Sequence, residues 1–121
     1  MTHLVMIRPK KKIIAEFYKT LQGNEPVREW LLKLKREDQK IVGKDIQKVE
    51  FGWPIGMPYS KPLGNGLYEV RSDISDKRIA RVIFFIMNNS MVLLHGFMKK
   101  SQKTPQADLD LAKKRKKEVE Q

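Results

Sequence analysis

The stretch LYEVRSDISDKRIARVIFFIMNNSMVLLHGFM, residues 67–98, decides the fold of this chain. It contains three runs rich in β-branched and aromatic residues, 67–74, 78–87 and 91–98, separated by short polar segments. Such runs are typical of strands. The pair Asn88-Asn89 suits a tight hairpin, because asparagine tolerates a positive φ angle. The stretch therefore predicts a three-stranded antiparallel meander with turns at Ser75–Lys77 and at Asn88-Asn89.

One strand and two helices are predicted before the meander. The run KIIAEFYK, which begins at Lys12, has strand composition and predicts a strand that ends near Thr20. In NEPVREWLLKL, Asn24 can cap a helix whose first turn contains Pro26, and apolar residues follow at helical spacing. A second helical pattern comes after the charged connection REDQK and extends to about Phe51. These two segments predict an αα-hairpin packed on one face of a sheet.

The segments on either side of the meander differ in character. Residues 52–66 contain four glycines and three prolines, which predicts a loop with little regular structure. Near the C-terminus, Thr104 is predicted to cap a helix that begins at Pro105 and ends in a basic run. This helix, at about 105–120, has few apolar residues. It is expected to pack weakly, to extend from the body or to dock on a partner.

The predicted elements fit one domain of 121 residues, which is long enough to bury a modest core. The expected class is α+β, and the predicted order is an N-terminal strand, a two-helix hairpin, the three-stranded meander and a C-terminal helix.

The charge of the chain points to anionic partners. Lys and Arg number 25 against 14 Asp and Glu, a formal net charge of +11. Charge of this size favours nucleic acid, an anionic membrane surface or an acidic protein as partner. The longest apolar run, residues 82–87, is far shorter than the ~20 residues of a membrane span, so we expect a soluble cytoplasmic protein with no membrane partner.

Several kinds of chemistry are excluded or disfavoured by composition. Cysteine is absent, which excludes disulfides, thiolate chemistry and cysteine zinc sites. The two histidines, His3 and His95, are far apart in sequence, which disfavours a histidine metal cluster. Because no cofactor motif is present either, we expect neither a metal nor a cofactor.

Side-chain alternation along the meander predicts a polar patch on one sheet face, since successive strand residues point to opposite faces. Arg81 is notable because it lies between apolar neighbours, where a charge is costly unless it is paired or used. The register between strands cannot be taken from sequence. If the polar faces coincide, the patch contains Glu69, Arg71, Arg81, His95 and Lys99.

These residue types suit cleavage of RNA by its own 2′-hydroxyl. Arginine can stabilise the charge on the scissile phosphate through bidentate contacts. The proton transfers need a group of tuned pKa, and the options are His95, Glu69 or a lysine whose pKa is lowered by neighbouring cations. Because His95 lies inside an apolar run, a buried, hydrogen-bonded role is favoured over catalysis. For Lys61, in the loop, a solvated charge is the favoured interpretation. The run from Lys113 to Lys117 suits nucleic-acid contact about as well as a solvated helix face.

Five segments together resemble a known family: NEPVREWL, GLYEVR, RIARVIFFI, LLHGFMKKSQKTP and AKKRKKE. They are similar to the phage-associated HigB-type toxins, a branch of the RelE/ParE superfamily, over residues from about 24 to 118. The resemblance implies a RelE/ParE-like fold. It also implies the toxin of a type II toxin–antitoxin pair that cuts mRNA on the ribosome and inhibits translation.

The resemblance also implies partners and site residues. Its partners would be the ribosome with mRNA and a HigA-type helix-turn-helix antitoxin, and the chain would reach operator DNA only in complex with that antitoxin. The implied catalytic residues are Arg71, Arg81, Lys99 and Lys100, and the implied RNA-binding residues are Lys61, Lys103, Lys113, Lys114 and Arg115. RelE has a tyrosine near its C-terminus as a possible base. Because this chain has no tyrosine after Tyr68, the general base stays unassigned.

Two other functions are compatible with the sequence. ParE relatives share the fold and inhibit gyrase without cutting RNA, so a gyrase inhibitor is one alternative. A non-catalytic nucleic-acid-binding module, in which the basic patch only holds phosphates, is the other.

Overall fold

The computed structural model describes residues 10–99 and 103–121. Within these ranges the chain forms five strands and three α-helices, which confirms the α+β class. In chain order they are β1 (Ile14–Phe17), α1 (Pro26–Leu32), α2 (Arg36–Gly52), β2 (Lys61–Gly64), β3 (Leu67–Ile74), β4 (Arg78–Met87), β5 (Ser90–Lys99) and α3 (Gln106–Glu120).

The strands form one mixed sheet in the order β1-β5-β4-β3-β2. The central strands β3, β4 and β5 are antiparallel neighbours, as the meander predicts. Their turns lie at Ser75–Lys77 and at Asn88, whose φ angle is 57°. The predicted N-terminal strand is present but short, and it pairs with β5 in parallel, an arrangement the sequence did not predict.

The prediction of an unstructured loop before the meander was wrong at 61–64. These residues form β2, which pairs antiparallel with β3 at the edge of the sheet. Pro62 and Gly64 are poor strand formers, and the pairing shifts register between them. Strand β2 exists because the exposed edge of β3 supplies partners for its backbone.

Helices cover both faces of the sheet. Helices α1 and α2 pack on one face, around a core that includes Val27, Val49 and Phe84. Helix α3 packs on the other face through Ala112, which is buried against a cluster that includes Leu94. The basic helix is therefore part of the folded body. None of the helices in the described ranges has both the length and the apolar character that crossing a bilayer requires.

The helix starts differ from their predictions. Asn24 does not cap α1, which has Glu25 at that position, and Pro105 rather than Thr104 precedes α3. Thr104 is buried and its hydroxyl donates to the Glu69 carboxylate at 3.0 Å, so it is not available to the helix. The stretch REDQK, taken as a connection, is the first turn and a half of α2.

Asp38, within that stretch, is fully buried and ties α2 to the β3–β4 turn. Its carboxylate accepts hydrogen bonds from the Ser75 backbone N–H at 3.0 Å and the Ser75 hydroxyl at 2.7 Å. Arg78 adds an ion pair at 3.2 Å. These donors favour the ionised form, so they hold the pKa of Asp38 below its usual value.

Candidate functional site

The sheet register brings together most of the charged residues predicted for the patch. Directly opposed residues of antiparallel strands point to the same face. Lys61 lies opposite Glu69, Arg71 opposite Arg81, and Lys99 opposite Ile79, two residues before Arg81. Four strands therefore contribute to one charged cluster on the sheet face that α3 also covers.

Arg81 and Glu69 form a buried ion pair at the centre of this cluster. Their side chains are 4% and 0% exposed, and Arg81 Nη1 contacts Glu69 Oε1. The second carboxylate oxygen of Glu69 accepts the Thr104 hydroxyl hydrogen bond. Within the described residues Arg81 Nε has no hydrogen-bond partner. Burial lowers the pKa of Arg81, although a guanidinium stays protonated at any ordinary pH.

Lys99 is a buried lysine of the cluster whose pKa is lowered. It is only 8% exposed. Burial, together with the charges of Arg81, Lys61 and Arg71, lowers its pKa to about 8. Desolvation and like charges both disfavour an ammonium group. Lys99 can therefore exchange a proton near neutral pH, as an ordinary lysine cannot.

A small cavity of about 100 Å³ opens beside these charges. Its walls come from β2, β3, β4 and the loop before β2, and they are formed by Met57, Pro58, Lys61, Glu69, Arg71 and Arg81. Arg71 is about half exposed, with Asp73 Oδ1 at 3.7 Å from its Nη2. The arrangement offers an exposed and a buried guanidinium to one anion.

His95 lies on the same face but does not line this cavity. Its Nε2 is 2.6 Å from Asp108 Oδ1, in the first turn of α3, and its ring stacks on Phe97 with centroids 5.3 Å apart. Its side chain is 15% exposed. The hydrogen bond expected for His95 is present, although the side chain is only partly buried, and it joins α3 to the sheet.

The predicted RNA-binding residues are placed differently from one another. Lys103 and Lys114 are exposed, and Lys113 borders a cavity of about 400 Å³ with Lys116 and Lys117. Arg115 points inward, since its Nη1 donates to the Leu94 carbonyl at 2.7 Å and its guanidinium lies 5.3 Å from the centre of the Tyr18 ring. Burial lowers its pKa. Lys100 lies outside the described residues.

Two parts of the site had no clear signal in the sequence. Thr104 was predicted as a helix cap, and its hydrogen bond to Glu69 joins residues 35 positions apart. Met57 and Pro58 lie in a segment whose composition predicts only a loop. In the described ranges no group of three or more acidic or histidine side chains is arranged to hold a metal ion.

Comparison with protein families agrees with this architecture. The family model of the phage derived protein Gp49-like (DUF891) matches residues 29–117, which include every charged residue of the cluster. The chain belongs to this family. Gp49-like proteins are a RelE/HigB-like toxin family, and its members are commonly toxins with RNase activity. Membership is consistent, at this level, with the toxin of a toxin–antitoxin pair. No curated protein matches the chain.

Proposed function

We propose that this Gp49-like protein is a HigB-type toxin of a type II toxin–antitoxin system and an endoribonuclease that cleaves mRNA on the ribosome. The observation that carries the proposal is that two guanidiniums lie in the same cluster as a lysine whose pKa is lowered. Arg71 and Arg81 border one cavity, and their charges contribute to lowering the pKa of Lys99 to about 8. A phosphate-binding module needs only cations. The titratable amine beside them is what an acid–base catalyst requires.

Arg71 and Arg81 are assigned to the scissile phosphate. Cleavage by the 2′-hydroxyl passes through a pentacoordinate phosphorane, whose equatorial oxygens carry more negative charge than the substrate. Guanidiniums already positioned at those oxygens lower the barrier, because they do not have to reorganise during the reaction. Lys61, exposed at the edge of the cavity, adds positive charge for the incoming strand.

Lys99 is assigned to the proton transfers. Its neutral amine takes the proton of the 2′-hydroxyl, the 2′-oxygen bonds to phosphorus, and the bond from phosphorus to the 5′-oxygen breaks. The Lys99 ammonium then returns the proton to the departing 5′-oxygen. The products are a 2′,3′-cyclic phosphate and a 5′-hydroxyl. Lys100, in the basic pair with Lys99, is retained as a phosphate contact.

Glu69 and His95 are assigned positioning roles. The Glu69 carboxylate pairs with Arg81 and accepts the Thr104 hydroxyl, so it orients the guanidinium toward the cavity. His95 is engaged by Asp108. Neither group is assigned a proton transfer.

Lys103, Lys113 and Lys114 are assigned to ribosomal or messenger RNA outside the cavity. Their ammonium groups would contact phosphates and release counterions, which makes binding sensitive to salt. Arg115 is not assigned to this surface, because its guanidinium is engaged by the Leu94 carbonyl and the Tyr18 ring. A HigA-type helix-turn-helix antitoxin is the proposed inhibitor, and operator DNA is reached only through that complex.

Primer extension on a message translated in a purified system tests the proposal. Wild-type protein should cut the message, and Arg71→Ala should lower the rate by about 10²–10³-fold through loss of a phosphate contact. Arg28→Ala removes an exposed arginine on α1 and should cut normally. Intact message with the wild type would overturn the proposal. Gyrase-dependent DNA breaks in cells that express the protein would instead support a ParE-like inhibitor.

A further inference from the structure

A second cavity, of about 320 Å³, adjoins the proposed catalytic one. The two share Pro58 and Arg71 in their walls. The second cavity is about three times larger and lies toward α2, away from the buried Arg81–Glu69 pair. A nucleotide whose phosphate rests on Arg71 would therefore place its neighbouring base in or beside this space.

An aromatic side chain stands at this cavity. Tyr59 lines it and is 41% exposed, so part of its ring is open to solvent. Its backbone is held by a turn, since the Tyr59 N–H donates to the Gly56 carbonyl at 3.0 Å and the Ser60 N–H to the same oxygen at 3.2 Å. Exposed aromatic rings beside cationic grooves are the usual platforms on which unpaired bases stack.

Two carboxylates also line the cavity. Asp45, on α2, is 23% exposed and its Oδ1 lies 3.5 Å from Lys48 Nζ, while Asp73, on β3, is 81% exposed. Carboxylates repel phosphate but accept hydrogen bonds from amino groups on base edges. Adenine, cytosine and guanine have an exocyclic amino group and uracil has none. The cations of the lining, Lys48 and Arg71, are each paired with one of these carboxylates, so the cavity has no excess of positive charge and can take a base.

We propose that this cavity is a base-recognition subsite, in which a nucleobase next to the scissile phosphate stacks on Tyr59 and donates an amino hydrogen bond to Asp45. The proposal rests on the proposed RNA-cleaving function and adds a substrate preference to it. Bases with an exocyclic amino group are accepted, and uracil is disfavoured at that position.

The test uses the full-length protein and a set of messages that differ only in the nucleotides flanking the cut, assayed in a purified translation system. Wild-type protein should cut about tenfold more slowly when uracil occupies one of the two flanking positions. Asp45→Asn should remove this difference. Asp76→Asn makes the same charge change at a residue that is 71% exposed and outside both cavities, and it should preserve the preference.

Tyr59 is tested by a pair of substitutions. Tyr59→Phe keeps the ring and should preserve cleavage, whereas Tyr59→Ala should slow it about tenfold at every accepted base. Circular dichroism establishes whether each variant is folded. If Tyr59→Ala does not fold, the base preference of Asp45→Asn alone tests the subsite. A wild type that cuts all four bases equally, or an Asp45→Asn enzyme with unchanged preference, overturns the subsite alone. Failure of the wild type to cut any message overturns the proposed function as well.

Discussion

The proposed chemistry depends on Lys99, because it is the cation of the cluster whose pKa lies near neutrality, at about 8. The proposed mechanism needs its neutral amine. Below the pKa the neutral fraction rises about tenfold per pH unit, so the single-turnover cleavage rate should do the same and level off above about pH 8. Lys99→Arg keeps the charge but offers no neutral form, so it should lower the single-turnover cleavage rate by about 10²–10⁴-fold.

Single-turnover rates between pH 6 and 9.5 measure both effects. The residual cleavage rate of Lys99→Arg should no longer increase as the pH rises toward 8. An unchanged pH profile in this variant would assign the titration to another group.

Glu69 should matter first for stability and through it for activity. Glu69→Gln leaves the Arg81 charge buried without its counter-ion, and we expect the free energy of unfolding to fall by about 3–5 kcal/mol. The double variant Glu69→Gln with Arg81→Gln removes the charge as well and should recover part of that loss. Urea denaturation of the two single variants and the double variant measures the coupling. Additive effects would mean that the two side chains do not interact.

The contact between α1 and β5 depends on the absence of a side chain at Gly96. A Cβ atom built there would lie 2.4 Å from Cε3 of Trp30. Gly96→Ala should therefore force α1 away from the sheet and lower the free energy of unfolding by about 1–3 kcal/mol.

Gly43 is the matched control for Gly96. It lies inside α2, and a Cβ there meets nothing within 4 Å among the described atoms. Gly43→Ala should raise the free energy of unfolding by about 0.5–1 kcal/mol, because alanine is the better helix former. Thermal denaturation of both variants should show a lower melting temperature for Gly96→Ala and a higher one for Gly43→Ala. Equal stabilities would contradict the packing described for Trp30.

Helix α3 separates its basic residues into two groups. The double variant Lys113→Gln with Lys114→Gln should preserve the fold and weaken ribosome binding. The slope of the logarithm of the binding constant against the logarithm of the salt concentration should become shallower by about 1.4–1.8, since two phosphate contacts are lost. Arg115→Gln removes the hydrogen bond to Leu94 and should lower the melting temperature instead. Sedimentation with ribosomes at several salt concentrations tests the first expectation. Unchanged binding by the double lysine variant would place the RNA surface elsewhere.

For the whole molecule, what the sequence predicted depended on how local the signals were. The β3–β4–β5 meander was predicted because strand alternation and the Asn88 turn are local. Strand β2 was missed since its stability comes from the edge of β3 and not from Pro62 or Gly64. The burial of Asp38 was invisible for a similar reason. Its partners Ser75 and Arg78 are 37 and 40 positions away.

The charged cluster also depends on contacts between residues far apart in sequence, which local patterns do not predict. Alternation indicated which residues share a face on each strand, but the register that places Arg71 opposite Arg81 belongs to the folded sheet. The pKa of Lys99 depends on burial and on three cations from other strands, so no property of its sequence neighbours could predict it. His95, the conventional acid–base candidate, was disfavoured because it lies in an apolar run, and its ring is hydrogen-bonded to Asp108.

If the cluster promotes attack by an RNA 2′-hydroxyl, cleavage requires that hydroxyl, and a message with a single 2′-deoxynucleotide at the cut site removes it. In a purified translation system the all-ribose message should be cut to a 2′,3′-cyclic phosphate and a 5′-hydroxyl end. The message lacking that one hydroxyl should stay intact at the same position. Cleavage of the 2′-deoxy message at an equal rate, or a 3′-hydroxyl at the cut end, would contradict the proposed mechanism.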